Sequence, residues 1–185
     1  MTVRPLTDED CENVAKLFAN SFKEHIMVHR GLLSNPSYII NRLKNPNESW
    51  VVEEDNGMIR GVSALAICFP VGLGEIERVC VDVPHRGNGV ALSMCNYLVN
   101  LASEKNLGFV EAFARGNEPA MQRTFDKLGF RVYGVAPRFE VVHNGQIVRE
   151  QFVHMGLELK PESIDNSGTV LISQAQKVFE RIYSL

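Results

Sequence analysis

The chain has 185 residues, 45% hydrophobic and 22% charged, ordinary proportions for a folded domain that exclude wholesale disorder. Its 19 basic and 22 acidic residues leave a formal charge of −3, which excludes a generic nucleic-acid binder while permitting a local basic patch. There is no apolar run near the ~20 residues of a membrane-spanning helix and no basic-then-apolar secretory start. The four cysteines, Cys11, Cys68, Cys80 and Cys95, form no CxxC pair or metal-ligand spacing, so a reduced, cytoplasmic protein without metal, nucleic-acid or membrane partners is expected.

In chain order, a short strand over Thr2 to Leu6 leads into a helix with Thr7 as N-cap, and the acidic run Asp8-Glu9-Asp10 suits the positive end of its dipole. Cys11, Val14, Ala15, Phe18 and Phe22 recur at helical spacing and form its buried stripe. The pattern loosens from Lys23 to Asn47, where Pro36 and Pro46 bracket a shorter helix through Ile39, Ile40 and Leu43. His25 and His29 stand one helical turn apart there, but no third ligand lies near them in sequence.

Strands follow. Trp50 to Glu54 and Met58 to Phe69 form a hairpin about Asp55-Asn56-Gly57, because Asn and Gly tolerate positive φ. Glu75 to Val83 is a third strand, Gly87 to Gly89 opens a helix reaching Glu104, and Phe109 to Ala114 is apolar enough for a buried parallel strand. A helix over Pro119 to Leu128 closes at Gly129, and Phe130 to Val142 with Gln146 to Leu159 forms a long hairpin about Asn144-Gly145. Residues 1–160 then make one domain. Residues 161–185 are a linker and an amphipathic helix, with Leu171, Ala175, Val178, Phe179 and Ile182 on one face, either docked on its own domain or making a homodimer contact.

The stretch most suggestive of chemistry runs from Val79 to Ala91. A strand ends, a turn with Gly87 and Gly89 follows, and a helix begins, so several backbone N–H groups converge on one point backed by the helix dipole. That arrangement suits a phosphate or pyrophosphate. It is neither a Walker A loop nor a GxGxxG fingerprint.

Arg86-x-x-Gly89-x-Ala91 after Glu77-Arg78-Val79-Cys80-Val81 resembles the acyl-CoA loop of the GCN5-related N-acetyltransferase (GNAT) superfamily. Asn117-Glu118-Pro119-Ala120 and Phe125-Asp126-Lys127-Leu128-Gly129-Phe130 are similar to its second motif, and Phe152-Val153-His154-Met155 to its closing hairpin. The likeness in element order covers Val3 to Leu159 and is specific from Glu75 to Phe130.

The resemblance implies an α/β (α+β) fold: a mixed, mostly antiparallel sheet with a splayed central parallel pair, helices on both faces and, here, an extra C-terminal helix. It implies acetyl transfer from acetyl-CoA to a primary amine in a ternary complex. Arg86, Gly87, Asn88, Gly89, Val90 and Ala91 would hold the CoA pyrophosphate, the backbone of Cys80, Val81 and Val83 would pair with pantetheine, and Asn117 would touch the pantetheine or acyl end. Arg123 and Lys127 would meet an outer phosphate or else be solvated. An amine of pKa ~10 must first lose a proton. Glu75 and Glu77, on one face of their strand, are the candidate bases, and His154 is a further one.

Phe125, counted with the cofactor contacts, stands where the family commonly has a tyrosine that protonates the CoA thiolate. Water or Tyr133 would take that role, or the domain binds acyl-CoA without transfer. The long last hairpin points to a small-molecule amine as acceptor, with a protein N-terminus or lysine as the alternative. Arg138 and His143 on that hairpin are candidates to face an acceptor carboxylate or phosphate.

Overall fold

The computed structural model describes residues 2–164 and 167–183. Seven strands form one sheet in the order β1 (Thr2–Pro5), β2 (Glu48–Asp55), β3 (Met58–Cys68), β4 (Leu73–Val81), β5 (Phe109–Arg115), β7 (Gln146–Glu158) and β6 (Arg131–His143). Every pairing is antiparallel except β4 with β5. Helices α1 (Cys11–Ser21), α2 (Ile26–His29) and α3 (Pro36–Leu43) belong to one face, and α4 (Val90–Glu104) and α5 (Pro119–Lys127) to the other. This is the mixed, mostly antiparallel architecture expected from the sequence.

Local chemistry explains the boundaries. Both hairpins turn on Asn-Gly with positive φ at each residue: 50° and 80° at Asn56 and Gly57, 50° and 78° at Asn144 and Gly145. Positive φ at both central positions matches the twist of the flanking strands. At the first helix the Asp10 carboxylate accepts hydrogen bonds from the Thr7 N–H and hydroxyl, both at 2.9 Å, and takes the Arg4 guanidinium as well. Arg4 therefore holds the Asp10 carboxyl low, at about 2. Asn35 caps α3 by accepting from the Ser37 N–H, with Pro36 in the first turn. The four-residue helix α2 has no periodicity to betray it. It exists because the His25 ring accepts the Met27 N–H and stacks on Phe22 at 4.6 Å.

Two cores sandwich the sheet. On the α4–α5 side Ile76, Val110, Ala112, Met94, Leu98 and Phe125 are buried together. On the α1–α3 side Phe18, Leu33, Ile39, Trp50, Val62 and Cys80 are buried. Cys11, Cys80 and Cys95 are buried free thiols, and Cys68 is exposed. Burial pushes the Cys80 and Cys95 thiols up to about 12, so they are protonated at neutral pH.

Helix α6 (Ser173–Tyr183) lies against β6 with Ile182 buried. The Arg131 guanidinium reaches the Ile182 carbonyl at 3.4 Å, and the Tyr183 hydroxyl donates to Glu158 at 2.9 Å. The tail helix thus docks on its own chain. The expected linker and tail include Asp165, Asn166, Ser184 and Leu185, which lie outside the described residues.

Gly156 on β7 is sterically required. A Cβ there would strike the Phe109 ring and stand 2.9 Å from Tyr133 Cε2. We expect Gly156→Ala to destabilise the protein by ~1–3 kcal/mol, the usual cost of overpacking, read as a lower midpoint of chemical denaturation at an unchanged m-value.

Candidate active site

The site begins with a break in the sheet. β4 and β5 pair only from Leu73 with Phe109 to Ile76 with Ala112, although β4 continues to Val81 and β5 to Arg115. Two residues beyond the last pair, β4 carries a bulge. Its register against β3 shifts between Ala64–Glu77 and Val62–Cys80, and Arg78 takes φ 56°, left-handed backbone rare for a side chain. The bulge bends β4 while β5 stays paired with β7 as far as Arg115 with Phe152, so the two central strands part. One edge of residues 77–81 then faces a gap lined by main-chain polar groups.

At the mouth of this gap lies the glycine-rich turn. Val83–His85 form a 3-10 turn, Gly87 and Gly89 both take φ 81°, and α4 starts at Val90. Among the described residues, no backbone N–H of residues 87–91 donates to a protein acceptor, so these donors converge at the N-terminus of a 15-residue helix. Arg86 anchors the turn through its side chain. Its guanidinium donates to the Ser21 carbonyl at 2.8 Å and the Val81 carbonyl at 3.3 Å, tying the turn to the end of α1. Asp82 adds a second tie, accepting from the Ser21 hydroxyl at 3.2 Å and the Val83 N–H at 3.0 Å. These bonds tie the turn to α1 and β4, while the N–H groups of residues 87–91 are left without protein acceptors among the described residues.

The sheet face opposite α4 and α5 carries the titratable groups. Glu75 and Glu77 share it, as expected from their spacing, but their surroundings differ. Glu77 is engaged by the Arg78 guanidinium. Glu75 stands directly across from Glu111 on β5, and the Glu111 carboxylate is hydrogen-bonded to His154 Nε2 at 2.8 Å. Burial, then the Glu111 charge, raises the Glu75 carboxyl above its ordinary value, with Arg138 and Arg78 opposing. His154 stacks on Phe113 at 4.6 Å. The sheet register thus assembles Glu75, Glu111 and His154 beside the gap.

Around them lies a frame of ion pairs. Arg115 holds Glu150 at 2.6 Å and Glu24 at 2.7 Å, and Asn117 donates to Glu150 at 3.1 Å. A strap from the α1–α2 loop crosses to the last hairpin. His25 bridges Val141, the Val142 N–H donates to the Glu24 carbonyl at 2.8 Å, and Arg30 meets Glu140 at 3.2 Å. Burial and the nearby Arg78 and Arg115 charges push His25 down to about 4, so this strap residue is neutral at physiological pH.

Two sequence-derived candidates lie elsewhere. The Tyr133 hydroxyl donates to Glu158 at 2.9 Å at the closed end of the β4–β5 pair, and burial together with Glu158 raises its pKa. It lines a cavity of about 270 Å³ with Phe109, Glu158 and Tyr183, away from the gap. Phe125 is buried against Phe130, ring centres 5.0 Å apart, inside the α4–α5 core. Cys80 also points into a core, on the α1–α3 side, leaving only its backbone for the gap. Arg123 and Lys127 are exposed on α5. Glu111, Arg78 and Arg115 were missed in the sequence. A charged residue inside the otherwise apolar run Phe109 to Ala114 was the available signal for Glu111.

The sequence pattern of the acetyltransferase (GNAT) family matches residues 13–130. No curated protein sequence matches the chain. Among solved structures, a ribosomal-protein-alanine N-acetyltransferase from Brucella melitensis is similar with a TM-score of 0.72 at 17% identity, covering 86% of this chain and 100% of that one. The yncA protein of Salmonella typhimurium, solved with its cofactor acetyl-CoA, has a TM-score of 0.71 at 18% identity over 90% of this chain and 98% of its own. A spermidine N-acetyltransferase chimera from Vibrio cholerae follows at 0.68 and 17%, over 85% and 96%. At such identities the likeness is one of fold.

Proposed function

The chain belongs to the acetyltransferase (GNAT) family, whose acyl donor is acetyl-CoA, and from that premise we propose that it acetylates the primary amine of a small molecule. Residues 1–160 form the catalytic domain in this reading, and the tail from 161 is an accessory element packed on β6.

The pyrophosphate of CoA binds the N–H groups of Gly87 to Ala91, and the pantetheine arm fills the gap by pairing with the free edge of β4 at Cys80 and Val81, with Val83 and Asn117 beside it. The thioester carbonyl then accepts from β4 backbone N–H groups, which stabilise the tetrahedral oxyanion as it forms. Glu75 draws a proton from the incoming ammonium, directly or through one water. Glu111 and His154 set the charge around it. The neutral nitrogen attacks the acetyl carbon, the C–S bond breaks, and the electron pair leaves on sulfur. With Phe125 buried in the core and Tyr133 bonded to Glu158, the second proton that the nitrogen sheds as the tetrahedral intermediate collapses passes through water to the CoA thiolate. Glu77, already paired with Arg78, is the lesser candidate for the base.

A small acceptor is favoured by the strap. Glu24 and His25 pair with Val142 and Val141 beside the Arg115 end of β5, across the route an extended peptide would take towards Glu75. Assaying thiol release from acetyl-CoA with polyamines, amino acids, amino sugars, aminoglycosides and peptides tests this reading. Turnover is expected with a small amine. Faster turnover of a peptide N-terminus or lysine side chain would overturn it.

A further inference from the structure

Arg138 stands beside an acidic site, and its charge acts on Glu75 without an ion pair between them. The other guanidinium groups bordering this sheet face are occupied: Arg30 by Glu140, Arg78 by Glu77, Arg115 by Glu24 and Glu150. Among the described residues Arg138 pairs with no carboxylate. Its guanidinium carbon lies 3.6 Å above the Phe113 ring and 5.1 Å from the Phe139 ring. Phe113 is fixed in turn by His154 stacked on it at 4.6 Å and by Phe139 edge-on at 5.8 Å. An aromatic platform therefore holds the guanidinium plane still, while its edge, the part that donates hydrogen bonds, stays in solvent.

The position matters as much as the freedom. Phe113 lies two residues beyond Glu111 on the same face of β5, and Glu111 is level with Glu75. Two residues along a strand span ~6.6 Å. With Glu75 one strand across, ~4.8 Å away, the diagonal from Glu75 to Phe113 is ~8 Å. In an α-amino acid the nitrogen and the carboxylate oxygens are ~3 Å apart, and a hydrogen bond of ~2.9 Å at each end brings the span to ~9 Å. Resting on the acceptor reading above, we propose that Arg138 binds the α-carboxylate of the acceptor, and that the substrate class is a free amino acid whose amine is presented to Glu75. The fork of the guanidinium matches a carboxylate bidentately. A residue inside a polypeptide has no such carboxylate beside its amine, so the same contact disfavours peptides.

The test uses the full chain, acetyl-CoA and matched pairs of acceptors, each an α-amino acid and the amine left after removing its carboxylate, with phosphoethanolamine as a third anion type. For the preferred side chain, kcat/KM for the amino acid is expected to exceed that for its decarboxylated amine by ~100-fold, the size of a charge-assisted hydrogen-bonded contact. Arg138→Gln should bring this ratio to within threefold of one, and Arg138→Lys should restore part of it through KM. Equal use of both members of every pair by the unaltered protein would overturn the assignment, as would an unchanged ratio in Arg138→Gln or a preference for phosphoethanolamine. Turnover of plain amines alone overturns this assignment and leaves acetyl transfer to small amines standing. Failure of every amine overturns both.

Discussion

A Gly89→Glu variant should lose acetyl-CoA affinity by ~100-fold or more while remaining folded. Gly89 caps α4 at φ 81°, and a Cβ built on it would meet no atom within 4 Å. The fold therefore has room for a side chain. Its cost is confined to placing an L-residue in left-handed backbone, ~1–2 kcal/mol. For the ligand the cost is larger. The new carboxylate would sit among the N–H donors of residues 87–91, and at ~4 Å from a phosphate charge the repulsion reaches ~4 kcal/mol at an effective dielectric of ~20. Calorimetric titration with CoA reads the affinity, and thermal unfolding reports the fold. Gly89→Ala separates the two causes, since it carries the backbone strain without the charge and should lose far less. A dissociation constant within tenfold of the unaltered protein's would show that the turn is not the phosphate cradle.

For Glu75→Gln the expected result is a loss of ~10²- to 10⁴-fold in kcat, the range for removing a general base, with CoA affinity held within about twofold. The substitution keeps size and hydrogen-bonding capacity but cannot take a proton. The pH profile supplies a second readout. Burial and then the charge of Glu111 lift the Glu75 carboxyl above its ordinary 4.5. Only the deprotonated form accepts a proton, so activity rises with pH through this raised pKa and falls away below it. The acid limb of kcat/KM should thus lie above the ordinary carboxylate range and vanish in Glu75→Gln. In Glu111→Gln the neighbouring negative charge is gone, the Glu75 carboxyl drops, and the limb should move to lower pH. A Glu75→Gln enzyme with full kcat would return the base role to Glu77 or His154.

Much of the architecture was legible in the sequence because its signals are local. Asn56-Gly57 and Asn144-Gly145 announce turns through their tolerance of positive φ. Pro36 and Pro119 mark first helical turns, and the strand-to-helix glycines at 87 and 89 announce converging N–H groups. Each acts over a few bonds, so neighbouring residues suffice to read it. Helix α2 escaped because its four residues owe their shape to the His25 ring capping Met27 and to Phe22 beneath it, not to a repeat. Tyr133 shows the converse. It was a fair candidate as a proton donor by chemistry, yet the hairpin register carries it to Glu158 and the closed end of the sheet.

The sequence by itself determined the fold class, the family resemblance, the glycine-rich strand-to-helix turn and a pair of carboxylates on one strand face. Only the tertiary structure gave the two carboxylates different surroundings. Glu75 and Glu77 look equivalent by spacing, but the bulge at Arg78 gives Glu77 an arginine, while the parallel register sets Glu75 against Glu111 and, through it, His154. The strap of Glu24 and His25 onto Val141 and Val142, and Arg138 lying on Phe113, likewise join residues far apart in the chain. Such contacts depend on the register of the whole sheet, which is fixed by burial on both faces at once, and no short window of residues contains it.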